Sequence, residues 1–204
     1  METFENVIEF HGHACPGLAL GYRVAMRALK EFEIPAADEE IVALVENNSC
    51  AIDAVQVVTG CTFGKGNLIF HDYGKQVYTF IKRPSGKYLR ISICWKKPAE
   101  SENERLLWEK YMKGDRSESV VDFVHARKSS KIKHILTADE RELMTVTTGT
   151  MKVPDPAIIR PSVVCSSCHE KVMDLKAMHK NGYRFCIPCF NEEELRKKRK
   201  KHAE

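Results

Sequence analysis

Four cysteines late in the chain are spaced as metal ligands. Two residues lie between Cys165 and Cys168, and two lie between Cys186 and Cys189. A two-residue gap lets one tight turn present both sulfurs of a pair, and structural zinc takes four such ligands in a tetrahedron. The double spacing therefore predicts one structural zinc ion. Four thiolates fill its coordination shell, so this site is closed to catalysis.

The residues around the second cysteine pair indicate a zinc finger of the treble-clef type. Asn181-Gly182 predicts a hairpin between the pairs, and Asn191 to Lys201 predicts a helix that is acidic at its start and basic at its end, as the helix dipole favours. The basic run Arg196 to Lys201 has two interpretations. It is a solvated helix end, which the preceding Glu192 to Glu194 favour, or a phosphate-binding patch for nucleic acid.

A second group of ligand-type residues lies early in the chain, where His11, His13 and Cys15 directly precede Pro16. We predict that Cys15 occupies the N-cap of a helix, where the dipole and unpaired N–H groups stabilise a thiolate. A thiolate is both a nucleophile and a metal ligand. The alternative is two ordinary loop histidines beside a capping cysteine, but the crowding of three such residues favours a functional site.

A third group lies between Asn48 and Gly66. Asp53 falls on a predicted helix, whereas Cys61 and Lys65 fall in the glycine-rich bend after it. The bend lacks the glycine spacing and the preceding strand of a phosphate-binding P-loop. Cys50 is predicted to be a small buried apolar residue. We predict one pocket formed by His13, Cys15 and Cys61, with Asp53 and Lys65 at its edge and His11 as a ligand or as support for one.

The elements that would position these groups follow from the apolar periodicity. A helix is predicted from Pro16 to Phe32, with proline at its first position. Gly17 and Gly21 leave one face of this helix bare, so we expect another backbone to approach there. A helix from Cys50 to Thr59, capped by Asn48-Ser49 and by Gly60, is the expected neighbour. Their packing would bring Cys61 toward Cys15.

The remaining pattern predicts an α+β fold, in which helices pack on an antiparallel sheet. The predicted strands are Ile41–Glu46, a meander of Asn67–His71, Gln76–Lys82 and Lys87–Cys94, and then Leu143–Thr148. The predicted helices are Glu102–Met112 and Ser117–Lys128. Three prolines mark a linker, so we expect a core domain over 1–152, a linker over 153–161 and the zinc finger over 162–204.

Composition is that of an ordinary globular protein, with 43% hydrophobic and 29% charged residues and a net charge of +4. The sequence begins without a basic and apolar leader, and no run reaches the ~18 apolar residues of a membrane span. We therefore expect a cytoplasmic protein with no membrane partner. In that compartment eight cysteines indicate metal ligation or redox chemistry rather than structural disulfides.

Two long segments carry a family resemblance. They are FHGHACPGLALGYR, from Phe10 to Arg23, and NSCAIDAVQVVTGCTFGKGNL, from Asn48 to Leu68, which is followed by Asp72 to Lys75. These motifs resemble the formylmethanofuran dehydrogenase E-subunit family, and the resemblance covers the chain to about residue 150. The four-cysteine finger also resembles an arrangement found in members of that family.

The resemblance implies an α+β core, a homodimer, and a link to the molybdenum or tungsten enzyme that reduces CO2 onto methanofuran in methanogens. The family's shared polar positions correspond here to His11, His13, Cys15, Asp53, Cys61 and Lys65. The family name comes from association with an operon and assigns no catalytic role. The chain has no pterin site, iron–sulfur pattern or dinucleotide fingerprint, so it would not carry formate-level redox chemistry alone.

Three functions remain open on these grounds. The first is a metal-binding accessory protein or small metalloenzyme, oxidoreductase-associated, with zinc or another late first-row metal held in the core by imidazole and thiolate. The second is a thiol-dependent redox enzyme that uses Cys15 as its nucleophile and Cys61 as the resolving partner. The third is a nucleic-acid-binding regulator that uses the finger and its basic helix.

Overall fold

The computed structural model describes residues 2–32 and 35–201, with side chains up to residue 195. Two compact units make up the chain, Met1–Ala157 and Ile158–Glu204, which we call the core and the finger. The basic run from Arg196 to Lys201, predicted to be a helix end or a phosphate-binding patch, has its side chains outside the described residues. None of the helices within the described residues is long and apolar enough to cross a membrane.

The helices of the core fall into an early group around the predicted site and a later group. The early helices are α1 (Phe4–His11), α2 (Pro16–Phe32) and α3 (Ala51–Thr59). The later helices are α4 (Glu102–Met112), α5 (Glu118–Thr137) and the short α6 (Glu140–Leu143). The bounds predicted for α2 and α4 are confirmed. The α5 helix is longer than predicted and buries Ile135 in its last turns.

The core sheet contains β1 (Ile41–Val45), β2 (Leu68–Phe70), β3 (Val77–Lys82), β4 (Lys87–Ile93) and β5 (Met144–Thr150). Their order is β2-β1-β3-β4-β5, with β1 and β2 parallel and the other neighbours antiparallel. This arrangement confirms the predicted α+β class, with helices packed on an antiparallel-dominated sheet.

The predicted meander is wrong at its first turn, because β1 lies between β2 and β3. Val45 of β1 is paired with Phe70 on one side and with Tyr78 on the other. The β1 strand is an apolar run buried along nearly its whole length. Such a run is typical of a central strand covered on both faces, and this signal could have placed it there.

Burial on two sides defines the position of α2. One side joins the sheet, and its buried residues are Val24, Ala28 and Phe32. The other side joins α1 and α3 through Leu18, Ala25 and Leu29. Pro16 begins the helix at the position where the missing N–H costs nothing. The two-sided burial makes α2 the fixed element against which the start of α3 is held.

A close backbone approach joins α2 to the first residue of α3, as the bare glycine face of α2 predicted. A Cβ placed on Gly21 would lie 2.3 Å from the carbonyl oxygen of Ala51. Real Cβ atoms do not approach backbone this closely, so only glycine fits there. At Gly17 a Cβ would meet nothing closer than the Cβ of Cys50, at 3.5 Å. Gly21 thus sets how near α3 begins to α2.

We expect Gly21→Ala to lower the free energy of unfolding of the core by about 1–3 kcal/mol, the usual range for overpacking. The matched control is Gly17→Ala, which should be neutral or stabilising by up to about 1 kcal/mol because alanine is the better helix former. Urea denaturation of both variants measures the difference. Equal stability of the two variants would contradict a tight contact at Gly21.

The finger consists of two small hairpins followed by a helix. Its elements are β6 (Ser162–Val164), β7 (Lys171–Met173), β8 (Met178–Lys180), β9 (Tyr183–Phe185) and α7 (Ile187–Lys201). Asn181 and Gly182 join β8 to β9 with φ of 50° and 79°, as a tight type I′ hairpin turn requires. The predicted hairpin is therefore confirmed, and α7 begins between the two cysteines of the second pair.

Candidate metal centres

Three ligand-type side chains converge in the core where α1 ends and α2 and α3 begin. The ligand atoms of His11, Cys15 and Cys50 all lie within 4.8 Å of one another. All three side chains are half-buried. Imidazole with two thiolates is a donor set that suits zinc and other late first-row metals. We call these residues the core cluster.

Cys15 reaches the cluster as the N-cap residue of α2, as predicted. The backbone N–H of Leu18 donates to the Cys15 Sγ across 3.3 Å, the bond that an N-cap side chain makes to the third helical residue. A Cβ at Gly17 would lie 4.0 Å from this sulfur. The helix start therefore fixes the sulfur at a defined place beside Cys50.

His11 is the last residue of α1, which Gly12 ends in the left-handed region with φ of 91°. Its Nδ1 lies 2.6 Å from the Oδ2 of Asp53 on α3. Its Nε2 lies 4.0 Å from the Cys15 Sγ. A carboxylate on one ring nitrogen orients the other toward a metal, an arrangement common among metal-binding histidines. Asp53 thus supports the cluster through His11.

Cys50 was predicted to be a small buried apolar residue, whereas the structure places its sulfur in the core cluster. It occupies the N-cap of α3 without a side-chain capping bond. The predicted Asn48-Ser49 cap does not form, because the Oδ1 of Asn47 accepts hydrogen bonds from the backbone and hydroxyl of Ser49. Burial first, and then the neighbouring Cys15, raise the pKa of the Cys50 thiol. A bound cation would offset both effects.

Cys61, predicted to share the pocket with Cys15, belongs instead to the part of the core that packs on the sheet. Its thiol is fully buried and donates to the carbonyl oxygen of Ile41 across 3.4 Å. Burial raises the pKa of this thiol to about 11. Gly60 ends α3 in the left-handed region, so the chain reverses after the helix and carries Cys61 inward, away from the cluster.

Two further residues of the predicted pocket lie outside the core cluster. The Nζ of Lys65 donates to the carbonyl oxygens of Ala36 and Ala37, so it fastens the loop before β1. His13 is exposed, with its ring centroid 4.6 Å from that of His11. The Gly12 turn separates the two histidines, leaving His11 on a helix and His13 in a loop.

The four cysteines of the finger come together as their spacing predicted. The sulfurs of Cys165, Cys168, Cys186 and Cys189 lie within 4.8 Å of one another. The Cys186 N–H donates to the Cys165 Sγ across 3.3 Å. Backbone N–H groups of Cys168 and Cys186 lower the pKa of the Cys165 thiol to about 6. This environment favours a thiolate, the form that binds metal.

Comparison with known proteins agrees with this geometry. A solved structure of a tungsten formylmethanofuran dehydrogenase FmdE-like protein from Syntrophus aciditrophicus is 21% identical and covers 92% of each chain, with a TM-score of 0.56. That likeness supports the fold. A probable S-adenosyl-L-methionine-binding protein from Archaeoglobus fulgidus is 41% identical over 90 residues, which are 42% of this chain. The match spans 25% of that relative's length.

The family model described as FmdE, molybdenum formylmethanofuran dehydrogenase operon, matches residues 10–145. The matched range contains all of the core cluster and Asp53, together with the whole of the helix pair α2 and α3. The chain therefore belongs to the FmdE family, with a four-cysteine finger appended to the family's core.

Proposed function

We propose that the protein is a metal-binding FmdE-family protein with two distinct sites. In the core, His11, Cys15 and Cys50 hold one metal ion, and in the finger four cysteines hold a structural zinc ion. The observation that carries the proposal is the convergence of three ligands from three helix ends, with Asp53 bonded to the far nitrogen of His11. Burial within such a group costs free energy unless a partner offsets it.

The core site differs from the finger in how many protein ligands it offers. Three ligands leave room for another donor, whereas four thiolates close the coordination shell. A metal ion bound by the core cluster would supply Lewis acidity to a ligand in that open position. The protein's own contribution is to orient His11 through Asp53 and to hold the two sulfurs at the starts of α2 and α3.

A thiol redox function is the second candidate, with a changed pair of cysteines. Cys15 and Cys50 have sulfurs within 4.8 Å, so they, rather than Cys15 and Cys61, are the pair that would join as a disulfide. Such a site would need no core metal. Metal content therefore separates the two candidates.

We expect the anaerobically purified protein to hold two metal equivalents per chain, measured by elemental analysis after removal of loosely bound ions. Reconstitution with cobalt(II) should give thiolate-to-cobalt charge-transfer bands from both sites. One equivalent, together with rapid oxidation of Cys15 and Cys50 to a disulfide, would favour the redox candidate and contradict the core metal site.

Several wider properties follow from the family as further proposals. We propose a homodimer in solution, and α4 supports it because this helix buries none of its residues and exposes Leu106, Trp108 and Met112. We propose an association with a molybdenum or tungsten enzyme of the formylmethanofuran dehydrogenase type, on the strength of the family's operon. We also propose that a linker over 153–161 lets the core and the zinc finger fold separately.

A further inference from the structure

A pocket of about 390 Å³ lies beside the core cluster, and His11, Cys50 and Asp53 are among its lining residues. Its size falls near the lower end of the range for small-molecule sites. Because two of the three cluster residues line it, a molecule in this pocket can reach the cluster. The lining therefore indicates what class of molecule the site accepts.

Most of the remaining lining is apolar, and two aromatic rings stand out. Phe63 is 75% exposed and Phe70 is 40% exposed. The apolar lining residues are Val45, Ile52, Phe63, Leu68 and Phe70. Exposed aromatic rings beside a concave site are characteristic of ligand contact.

Phe63 is held in its place by the backbone around it. Its N–H donates to the Gln56 Oε1 across 3.2 Å, and its carbonyl oxygen accepts from the Gly66 N–H across 3.1 Å. The neighbouring Thr62 N–H donates to the Asn67 Oδ1 across 2.9 Å. The loop therefore presents the Phe63 ring at the pocket from a fixed backbone.

The polar groups of the lining are already engaged inside the protein. Asn47 donates to the Lys75 carbonyl oxygen and accepts from Ser49 and Tyr78. The Asp53 carboxylate is bonded to His11. None of the lining residues, all of them in the described part of the chain, is a lysine or arginine. The pocket thus offers no side-chain cation to a phosphate or carboxylate.

We propose that this pocket binds a small uncharged aromatic compound that carries one thiol, with its ring against Phe63 and Phe70 and its sulfur directed at the core cluster. The inference rests on the proposed core metal site, because the thiol needs a metal to bind. A thiol fits because thiolate is a soft donor, matched to an ion that cysteines already hold. Phosphorylated cofactors do not fit the uncharged lining.

The test uses the cobalt(II)-loaded protein under argon and follows the charge-transfer band during titration. Only the core site can add a ligand, since the finger is coordinatively complete. Benzyl mercaptan should bind at least about tenfold more tightly than 2-mercaptoethanol, since burying a phenyl ring is worth ~1.4 kcal/mol or more. Phe63→Ala and Phe70→Ala should each remove most of this preference. Phe10→Ala is the matched control, because Phe10 is 61% exposed but does not line the pocket.

Each outcome has a separate meaning. Equal affinities for the two thiols, or an equal loss in Phe10→Ala and Phe63→Ala, would overturn the aromatic ligand class while the core metal site stands. Binding of one cobalt ion only, with the spectrum of a four-thiolate site, would overturn the proposed function and this inference with it. Retention of the preference in Phe10→Ala, with its loss in both pocket variants, supports the proposal.

Discussion

Replacing Cys168 and Cys189 by serine in the 204-residue protein should unfold the finger while the core stays folded. The finger's strands are three residues long, and many of its large apolar side chains are exposed. These exposed residues are Val164, Met173, Leu175, Met178, Tyr183, Ile187 and Leu195. So little apolar burial cannot hold a unit of this size. Structural zinc supplies roughly 10 kcal/mol or more in small fingers, which makes the metal the main source of stability here.

The measurement is limited proteolysis combined with heteronuclear NMR. In the double variant, amide signals from 158–204 should collapse to the narrow shift range of an unfolded chain, and cleavage should release an intact core. Signals from the core should keep their positions, because we expect the two units to fold separately. Cys94→Ser is the control, since Cys94 is an exposed free cysteine outside both metal-binding groups. A double variant with a fully dispersed spectrum would show that the finger folds without metal.

The parts of the structure that could be predicted from the sequence are those that local rules determine. Spacing alone located the finger cysteines, since a two-residue gap has one common geometric use. Periodicity and Pro16 located α2, and the Gly17–Gly21 face anticipated the approach of α3. In each case a few neighbouring residues contain the whole signal.

The cysteine at the core cluster was beyond such rules. Cys50 and Cys61 stand at opposite ends of α3, and each begins or follows a tight segment. The Asn47 side chain decides which residue caps α3, and Gly60 decides that the chain then turns inward. Either cysteine could approach Cys15 if the first turn of α3 were placed differently. That placement depends on the Gly21–Ala51 contact, which is tertiary.

The first helix shows a different limit. The segment Phe4–His11 was not predicted, although Thr3 and Asn6 form a reciprocal capping box at its start. Asn in place of the usual Glu or Gln at the third helical position weakens that signal. The helix matters because its last residue is His11, so the imidazole reaches the cluster from a rigid element rather than from a loop.

Exchanging each of the two competing cysteines for serine should separate metal binding from packing. We expect Cys50→Ser to lose the core metal, because it removes one of three ligands. Loss of a partner that merely supports a ligand costs roughly 10–100-fold in affinity, and a ligand should cost at least as much. Cys61→Ser should keep the core metal at the wild-type level, since its buried thiol contacts Ile41 and not the cluster.

Stability should follow the opposite order. In excess chelator, where no variant holds metal, Cys50→Ser should unfold at nearly the wild-type urea concentration, because Cys50 is only half-buried. Cys61→Ser should be less stable by about 1–2 kcal/mol, since it places a hydroxyl in a fully buried position lined by apolar groups. Elemental analysis and urea denaturation of both variants complete the comparison. Loss of core metal in Cys61→Ser with retention in Cys50→Ser would return Cys61 to the site and remove Cys50 from it.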